Sequence, residues 1–239
     1  MNDAAASPHS SLPPLTVGMV LYPNFTLLDL AGPQAALGLH GRMLLLWKNL
    51  EPVATDGGFS VNPTTTFDDC PDDLDVLFVP GGFGTNSAMR DGEILEFLAR
   101  VASRARYVTS VCSGSLLLGM AGLLDGYRAA THWACYPALE ATGAMATRER
   151  VVADRNRFTG GGVTSGIDFG LTLLAELRGE QAAKLSQLLL EYDPAPPFDT
   201  GTPDAAGPEL TGVALAIMGD MNEEAVGIAR ARRVGMAVA

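Results

Sequence analysis

Cys112 is the residue of this sequence best placed to act as a nucleophile. It follows the apolar, β-branched run 106–111 (RYVTSV) and precedes Ser-Gly-Ser and an apolar helical segment. This layout is typical of a nucleophile elbow, a strained strand-to-helix turn that lifts a side chain out of the edge of a sheet. The start of a helix also carries a partial positive charge, which favours the thiolate. The sequence therefore predicts a reactive Cys112, whereas Cys70 and Cys135 are interpreted as small core residues.

A nucleophilic thiol needs a group that accepts or supplies a proton, and two side chains qualify. His132 follows a later predicted strand, but its apolar surroundings fit a packed core histidine at least as well. Asp29 lies between leucines in the apolar segment 25–31 (FTLLDLA), just beyond the first predicted strand. An acid in such a segment is either a helix cap or a deliberately buried group, and the residues alone leave both open.

Gly81 and Gly82 follow the most regular predicted strand, 75–79 (DVLFV). Their backbone N–H groups, free of neighbouring side chains, could form a cradle for an anion or an oxyanion, although a simple tight turn is the alternative. The three cysteines and three histidines show no paired spacing of the kind that holds a metal ion. We therefore expect neither a metal site nor a cofactor.

Strands and helices alternate along the chain, which predicts βαβ units and an α/β fold with a mostly parallel sheet flanked by helices. Strands are predicted at 16–22, 44–48, 75–79 and 106–111, helices at 26–39, 93–103, 165–177 and 181–190, and a small hairpin across 52–62. Such sheets bind ligands beyond the carboxyl ends of their strands. Glycine-rich breaks at 80–84, 112–114 and 160–162 fall at that edge.

Three parts of the chain differ in composition. Residues 1–15 are predicted to be a disordered tail without a signal peptide, and 16–191 to be the α/β domain. Residues 192–239 are predicted to be an extended, Pro-rich arm and one amphipathic helix, which packs on this domain or on a second copy. The apolar face of that helix is predicted to consist of Leu210, Val213, Ile217 and Met221.

Charge and hydropathy exclude some classes of partner. A net charge of −11 over 239 residues argues against nucleic acid, which needs clustered Lys and Arg. No run approaches the roughly 18 apolar residues of a spanning helix, so no membrane partner is expected. Three cysteines make no disulfide framework in a domain of this size, which favours a reducing compartment and a cytoplasmic protein.

Several segments together resemble the ThiJ/PfpI superfamily, and within it the isonitrile hydratases. They are LLDLAGP (27–33), FDDCP (67–71), VPGG (79–82), ARYVTSVCSGSLLLGMAGLL (105–124), ATHWA (130–134), FTGGGVTSGIDF (158–169) and LEYDPAPPFDTGTPD (190–204). The resemblance covers most of the chain, and the Pro-rich last segment narrows it to the hydratase-like members. It implies a flavodoxin-like three-layer sandwich and a homodimer.

The resemblance assigns roles position by position. It implies Cys112 as nucleophile, Asp29 as acidic partner and Ser113 as the following hydroxyl residue, a position where threonine is more familiar. Val163 matches a site whose backbone carbonyl lies near the thiol, and with Gly81, Gly82 and His132 it is expected to bind substrate. PfpI-type peptidases place His directly after the Cys, where this chain has Ser113, and glutamine amidotransferases need a later His-x-Glu pair that is missing here.

These residues suggest a hypothesis for the reaction. Cys112 would add to the terminal carbon of an isonitrile while Asp29, its pKa raised by an apolar pocket, delivers a proton, giving a thioimidate. Water would then release an N-substituted formamide, with Asp29 as base. The alternatives are a ligand-sensing domain, as in regulators that resemble this fold, and a thiol-redox protein based on oxidation of Cys112. We expect the sensing function to require a DNA-binding region of about a hundred further residues.

Overall fold

The computed structural model describes residues 12–238, with side chains to residue 234. The predicted disorder of residues 1–15 falls mostly outside this range. The strands are β1 Leu15–Val20, β2 Gly41–Trp47, β3 Val53–Ala54, β4 Ser60–Val61, β5 Thr65–Thr66, β6 Val76–Val79, β7 Tyr107–Ser110, β8 Arg128–Ala129, β9 Met145–Ala146, β10 Val151–Asp154 and β11 Arg157–Gly160. The α-helices are α1 Leu27–Leu37, α2 Thr85–Ala88, α3 Gly92–Ala102, α4 Gly114–Met120, α5 Tyr136–Thr142, α6 Ser165–Arg178, α7 Glu180–Leu189, α8 Pro203–Met218 and α9 Met221–Val238.

Seven strands form the central sheet in the order β10-β11-β7-β6-β1-β2-β5. All neighbours are parallel except β10 and β11. The central strands β6 (VLFV) and β7 (YVTS) are buried along their whole length, as expected for strands covered on both faces. Val17 of β1 aligns with Met43 of β2 and Val76 of β6, so the carboxyl ends of the strands share one edge.

Helices cover both faces of the sheet. On one face α1, α6 and α7 contact each other, and on the other α4 contacts α2, α3 and α5, while α9 packs on α2 and α5. The result is the predicted three-layer α/β sandwich of flavodoxin-like type. The hairpin of β3 and β4 is also confirmed, whereas α2, α5 and the short strands β5 and β9 were not predicted, because segments this short give no periodic signal.

The C-terminal segment differs from its prediction. It contains two helices rather than one, separated by Gly219 with φ of 55°, and the first of them, α8, is interrupted at Gly207. The predicted apolar face also proves exposed in this chain, because Leu210, Val213 and Ile217 of α8 all lie in contact with solvent. It is α9 that packs on the domain, through the buried side chains of Ala225 and Ala229.

Candidate active site

Cys112 lies on the predicted elbow, directly between β7 and α4. Its φ of 55° is in the left-handed region, a conformation that costs a non-glycine residue roughly 1–3 kcal/mol. The surrounding backbone stabilises this conformation. The Cys112 N–H donates to the carbonyl of Gly161 at 2.6 Å, and the Cys112 carbonyl accepts a hydrogen bond from the Thr131 hydroxyl at 2.9 Å.

Asp29 proves to be a buried acid rather than a cap of its own helix. It lies in the first turn of α1, is 0% exposed, and accepts a hydrogen bond through Oδ2 from the Gly81 N–H at 2.8 Å. Oδ1 is buried without a hydrogen-bond partner of normal geometry among the described residues. The Asp29 carboxyl and the Cys112 thiol are nevertheless close enough to influence each other's pKa. Asp29 is therefore a buried carboxyl whose ionisation is linked to that of the Cys112 thiol.

Burial sets the protonation of this pair. It raises the pKa of Asp29 to about 7, against the opposing effects of the Gly81 and Cys112 hydrogen bonds. Of the two leucines adjacent to Asp29, Leu30 is buried and Leu28 is exposed. Near neutral pH the protonated and ionised forms of the Asp29 carboxyl are therefore both populated. A group that both accepts and donates protons needs both forms.

The pKa of Cys112 contradicts the sequence-based argument for a stabilised thiolate. Burial, followed by the neighbouring Asp29 charge, raises the pKa of this thiol well above its usual value, and the nearby Ser113 N–H only partly opposes the effect. The turn does place the sulfur before a helix, but α4 has only seven residues and the Cys112 side chain is buried. Burial disfavours the charged form, so it favours the thiol over the thiolate.

Ser113, Gly81 and Gly82 lie in a hydrogen-bonded network beside Cys112. The Ser113 hydroxyl accepts from the Gly82 N–H at 3.0 Å and lies 2.7 Å from the Thr85 hydroxyl. The N–H groups of Gly81 and Gly82 thus bind Asp29 and Ser113, so the expected oxyanion cradle is already occupied by side chains of the protein. A Cβ on Gly81 would lie only 2.5 Å from the Ser113 nitrogen, which explains the need for glycine there.

One cavity of about 90 Å³ gives access to the otherwise buried sulfur. The loops at the sheet edge contribute Thr26, Gly82, Phe83, Cys112 and Ser113 to its lining. The remaining lining residues are His132, Cys135, Val163, Met218 and Met221. Three of the four expected substrate-binding residues, Gly82, His132 and Val163, therefore line the site, and His132 and Val163 also line a larger neighbouring cavity of about 520 Å³.

His132 is held in its neutral form. Its Nδ1 accepts a hydrogen bond from the Ala134 N–H at 3.4 Å, and burial lowers its pKa. A neutral imidazole beside the cavity offers a hydrogen-bonding group rather than a cation. Asp29, not His132, is the acid whose pKa is linked to that of Cys112.

Several cavity residues were missed or interpreted differently from sequence. Cys135 is buried as predicted, but its thiol lines the cavity of Cys112. Met218 and Met221 come from the boundary of two helices where one was expected, and Phe83 and Thr26 lie in loops with no chemical motif. No signal in the sequence could have identified them, because their role depends on where distant segments meet.

No metal-binding cluster of three or more His, Cys, Asp or Glu side chains occurs among residues 12–238. In the same part of the chain, no helix is long and apolar enough to cross a membrane. Cys70, Cys112 and Cys135 are all free thiols. The site thus consists of a thiol, a carboxyl of perturbed pKa and an apolar cavity.

Comparison with known proteins assigns this arrangement to a family. The sequence model of the DJ-1/PfpI family matches residues 16–176. An isonitrile hydratase from Pseudomonas putida is 53% identical over 194 residues, which cover 80% of this chain and 85% of that protein. The HTH-type transcriptional regulator GbdR from Pseudomonas aeruginosa is 34% identical over 78% of this chain, and the chain spans about half (53%) of that regulator.

Solved structures give the same result. A ThiJ/PfpI family protein from Pseudomonas syringae superimposes with a TM-score of 0.90 at 44% identity, covering 96% of this chain and 97% of that one. Drosophila melanogaster DJ-1beta shares the fold, with a TM-score of 0.66 at 18% identity over 75% of this chain and 98% of its own.

Proposed function

This chain belongs to the DJ-1/PfpI family, and we propose that it is an isonitrile hydratase that converts an isonitrile and water to an N-substituted formamide. The observation that carries the proposal is the buried Asp29 carboxyl, with a pKa of about 7, beside the Cys112 thiol in an apolar cavity. The terminal carbon of an isonitrile must receive both a nucleophile and a proton, and this pair supplies both. The 53% identity to the Pseudomonas putida isonitrile hydratase supports the same assignment.

The first step forms a covalent intermediate. The Asp29 carboxylate accepts the proton of the Cys112 thiol, and the sulfur bonds to the terminal carbon of R–N≡C. The protonated Asp29 then gives its proton to the same carbon, which yields the thioimidate R–N=CH–S–Cys112. The raised pKa values of both groups fit this step, because the single proton they share can pass from sulfur to carbon through one carboxyl.

The second step hydrolyses this intermediate. The oxygen of a water molecule bonds to the thioimidate carbon, and Asp29 transfers one of the water protons to the nitrogen. The carbon–sulfur bond then breaks as the new hydroxyl loses its proton to Asp29, which returns that proton to sulfur. The products are R–NH–CHO and the original Cys112 thiol, so atoms and charges balance without a cofactor.

The remaining residues position this pair. We infer that the Gly81 N–H orients the carboxyl through Oδ2, and that Ser113 acts through its backbone N–H near the sulfur while its hydroxyl fixes Gly82. His132 and Val163, on the cavity wall, are proposed to contact the nitrogen and the R group of the substrate.

A product assay tests the proposal. Purified protein is given cyclohexyl isonitrile, and formation of N-cyclohexylformamide is followed by mass spectrometry. We expect turnover, together with a transient adduct on Cys112 in the intact protein. A folded wild-type protein that binds the isonitrile without forming formamide would instead support the sensing alternative.

The thiol-redox alternative has less support from this geometry. Peroxide reacts with thiolates, and the pKa of Cys112 is raised by burial rather than lowered. We expect slow oxidation of Cys112 by peroxide near pH 7, measured by intact mass.

We further infer a homodimer in the cytoplasm. The apolar side chains of Leu188, Leu189, Val213 and Ile217 on α7 and α8 are exposed, and a second copy could cover them. The three free thiols are consistent with a reducing compartment. Sedimentation velocity at micromolar concentration tests the dimer, and a monomer there would contradict it.

A further inference from the structure

The turn between α8 and α9 forms one wall of the cavity above Cys112. Met218 ends α8, Met221 begins α9, and both side chains line the cavity although they lie more than a hundred residues from the elbow. Gly219, with φ of 55°, allows the sharp reversal between them. Methionine is flexible and polarizable, so these two side chains can fit closely around an apolar group.

The two halves of this turn are held differently. On the α9 side, the Asn86 side chain donates to the Met221 carbonyl at 2.8 Å and to Glu224 at 2.6 Å, and Arg90 forms a salt bridge with Glu224 at 2.8 Å. The Cys135 thiol of the cavity wall also donates to the Asn222 side chain, at 3.5 Å. On the other side, α8 buries none of its residues. The polar contacts of α9 therefore hold Met221 at the cavity wall.

The size and charge of the cavity limit what it can hold. Its volume of about 90 Å³ lies well below the roughly 300 Å³ at which pockets for drug-sized ligands begin. Its lining contains no Lys, Arg, Asp or Glu, and its one histidine has a lowered pKa. The buried Asp29 carboxyl beside the sulfur also opposes a second negative charge.

We propose that Met218 and Met221 determine substrate specificity, and that they restrict this enzyme to compact, uncharged, aliphatic isonitriles. The inference rests on the proposed hydratase function and adds the class of R group. A bulky group collides with the two methionines before its isonitrile carbon reaches Cys112. An anionic group loses its hydration shell in the apolar cavity without meeting a cation.

A panel of isonitriles graded by size and charge tests this inference. Isopropyl, cyclohexyl and 1-adamantyl isonitrile vary the size, and methyl isocyanoacetate and the isocyanoacetate anion vary the charge. The kcat/KM of each is measured for the wild-type protein and for Met218→Ala and Met221→Ala. Met145→Ala, in an exposed residue that does not line the cavity, is the matched control.

We expect the wild-type protein to prefer isopropyl over adamantyl isonitrile and the ester over the anion. Each alanine variant should raise the adamantyl-to-isopropyl ratio of kcat/KM by about tenfold or more, since even one methylene group in an apolar pocket changes such ratios about 10- to 200-fold. The control should leave the ratio unchanged. Met218→Trp, which narrows the cavity, should lower the cyclohexyl-to-isopropyl ratio of kcat/KM. If the alanine variants do not fold, this variant tests whether Met218 determines specificity.

The possible failures are distinguishable. If the folded wild-type protein produces no formamide from any member of the panel, the proposed function itself is wrong. If it converts all members but the methionine variants leave every ratio unchanged, only the specificity inference is overturned. Equal wild-type rates for adamantyl and isopropyl isonitrile would likewise overturn it, and would indicate that the R group extends past His132 and Val163 into the larger cavity.

Discussion

The carboxyl edge of the sheet and the turn between α8 and α9 both line the same cavity. At the sheet edge, Asp29 and Ser113 are buried and hydrogen-bonded to the backbone of Gly81 and Gly82. At the turn, Met218 packs without polar contacts from a helix that buries none of its residues. A reaction needs groups fixed within fractions of an ångström, whereas an apolar substrate needs only a wall of suitable shape. Substitutions at the sheet edge should therefore lower kcat/KM by the same factor for all substrates. Substitutions at the turn should instead change the ratio of kcat/KM between large and small substrates.

Replacing the nucleophile should have the largest effect. Cys112→Ala removes the sulfur that forms the thioimidate, so turnover should fall by about 10⁴-fold or more for every isonitrile. The measurement is formamide production by mass spectrometry, with Cys70→Ala as the control because Cys70 is a free, buried thiol that does not line the cavity. Full activity of the Cys112 variant would refute the nucleophile assignment. A loss of turnover that differs between substrates would contradict the assignment of catalysis to the sheet edge and of specificity to the turn.

Asp29→Asn should come second. The amide keeps the shape of the carboxyl but cannot carry the proton, so kcat should fall by roughly 10²–10⁴-fold. The loss should again be equal for small and large R groups. Single-turnover mass spectrometry should show that the covalent adduct forms slowly. Rapid adduct formation in this variant would show that Asp29 does not transfer the proton.

Stability supplies the control for this variant. Burial raises the pKa of Asp29 to about 7 in the folded protein, against an ordinary value of 3.8 for an exposed carboxyl. The folded state thus binds more protons between these values, so wild-type stability falls as the pH rises from 3.8 to 7. Asp29→Asn removes this penalty and should be more stable than wild type, by up to a few kcal/mol at pH 8, with little difference below pH 4. Urea denaturation at the two pH values measures it.

The pH profile should show a smaller effect, about tenfold for each pH unit below 7. The first step needs Asp29 deprotonated with Cys112 still a thiol, so kcat/KM should rise with pH up to about 7. It should then stay flat past pH 9, because the pKa of Cys112 is raised well above its usual value of 9.0. Stopped-flow or product assays from pH 5 to 9.5 test this. A decline beginning near pH 8 would mean that the thiol ionises more easily than its burial implies.

Ser113→Ala should have the smallest effect. Losing the hydroxyl leaves the buried Gly82 N–H without its partner, which costs roughly 1–3 kcal/mol of stability. Because the Ser113 backbone N–H near the sulfur remains, kcat should fall only about tenfold or less. Thermal unfolding and kcat are compared with Ser113→Thr, which keeps the hydroxyl. A loss as large as that of Asp29→Asn would show that the hydroxyl itself takes part in the chemistry.

The sequence by itself predicted the framework and offered Cys112 and Asp29 as candidate site residues. Buried apolar runs such as β6 and the glycine-rich breaks after them identify the parallel sheet and its functional edge, since both are local patterns. Cys112 followed by Ser-Gly-Ser indicates an elbow, and Asp29 among leucines indicates a cap or a buried acid. The resemblance to isonitrile hydratases supplied the substrate class, which the residue types do not contain.

Only the tertiary structure decided the protonation of that pair and the boundary of the cavity. The raised pKa of Cys112 follows from its burial beside Asp29. Several segments of the chain produce this burial together, so the local sequence after the cysteine does not reveal it. The same holds for the glycine N–H groups, which bind Asp29 and Ser113. Met218 and Met221 reach the site through long-range packing of α9 on α2 and α5. Dehydration and such contacts depend on neighbours distant in sequence, so no local pattern encodes them.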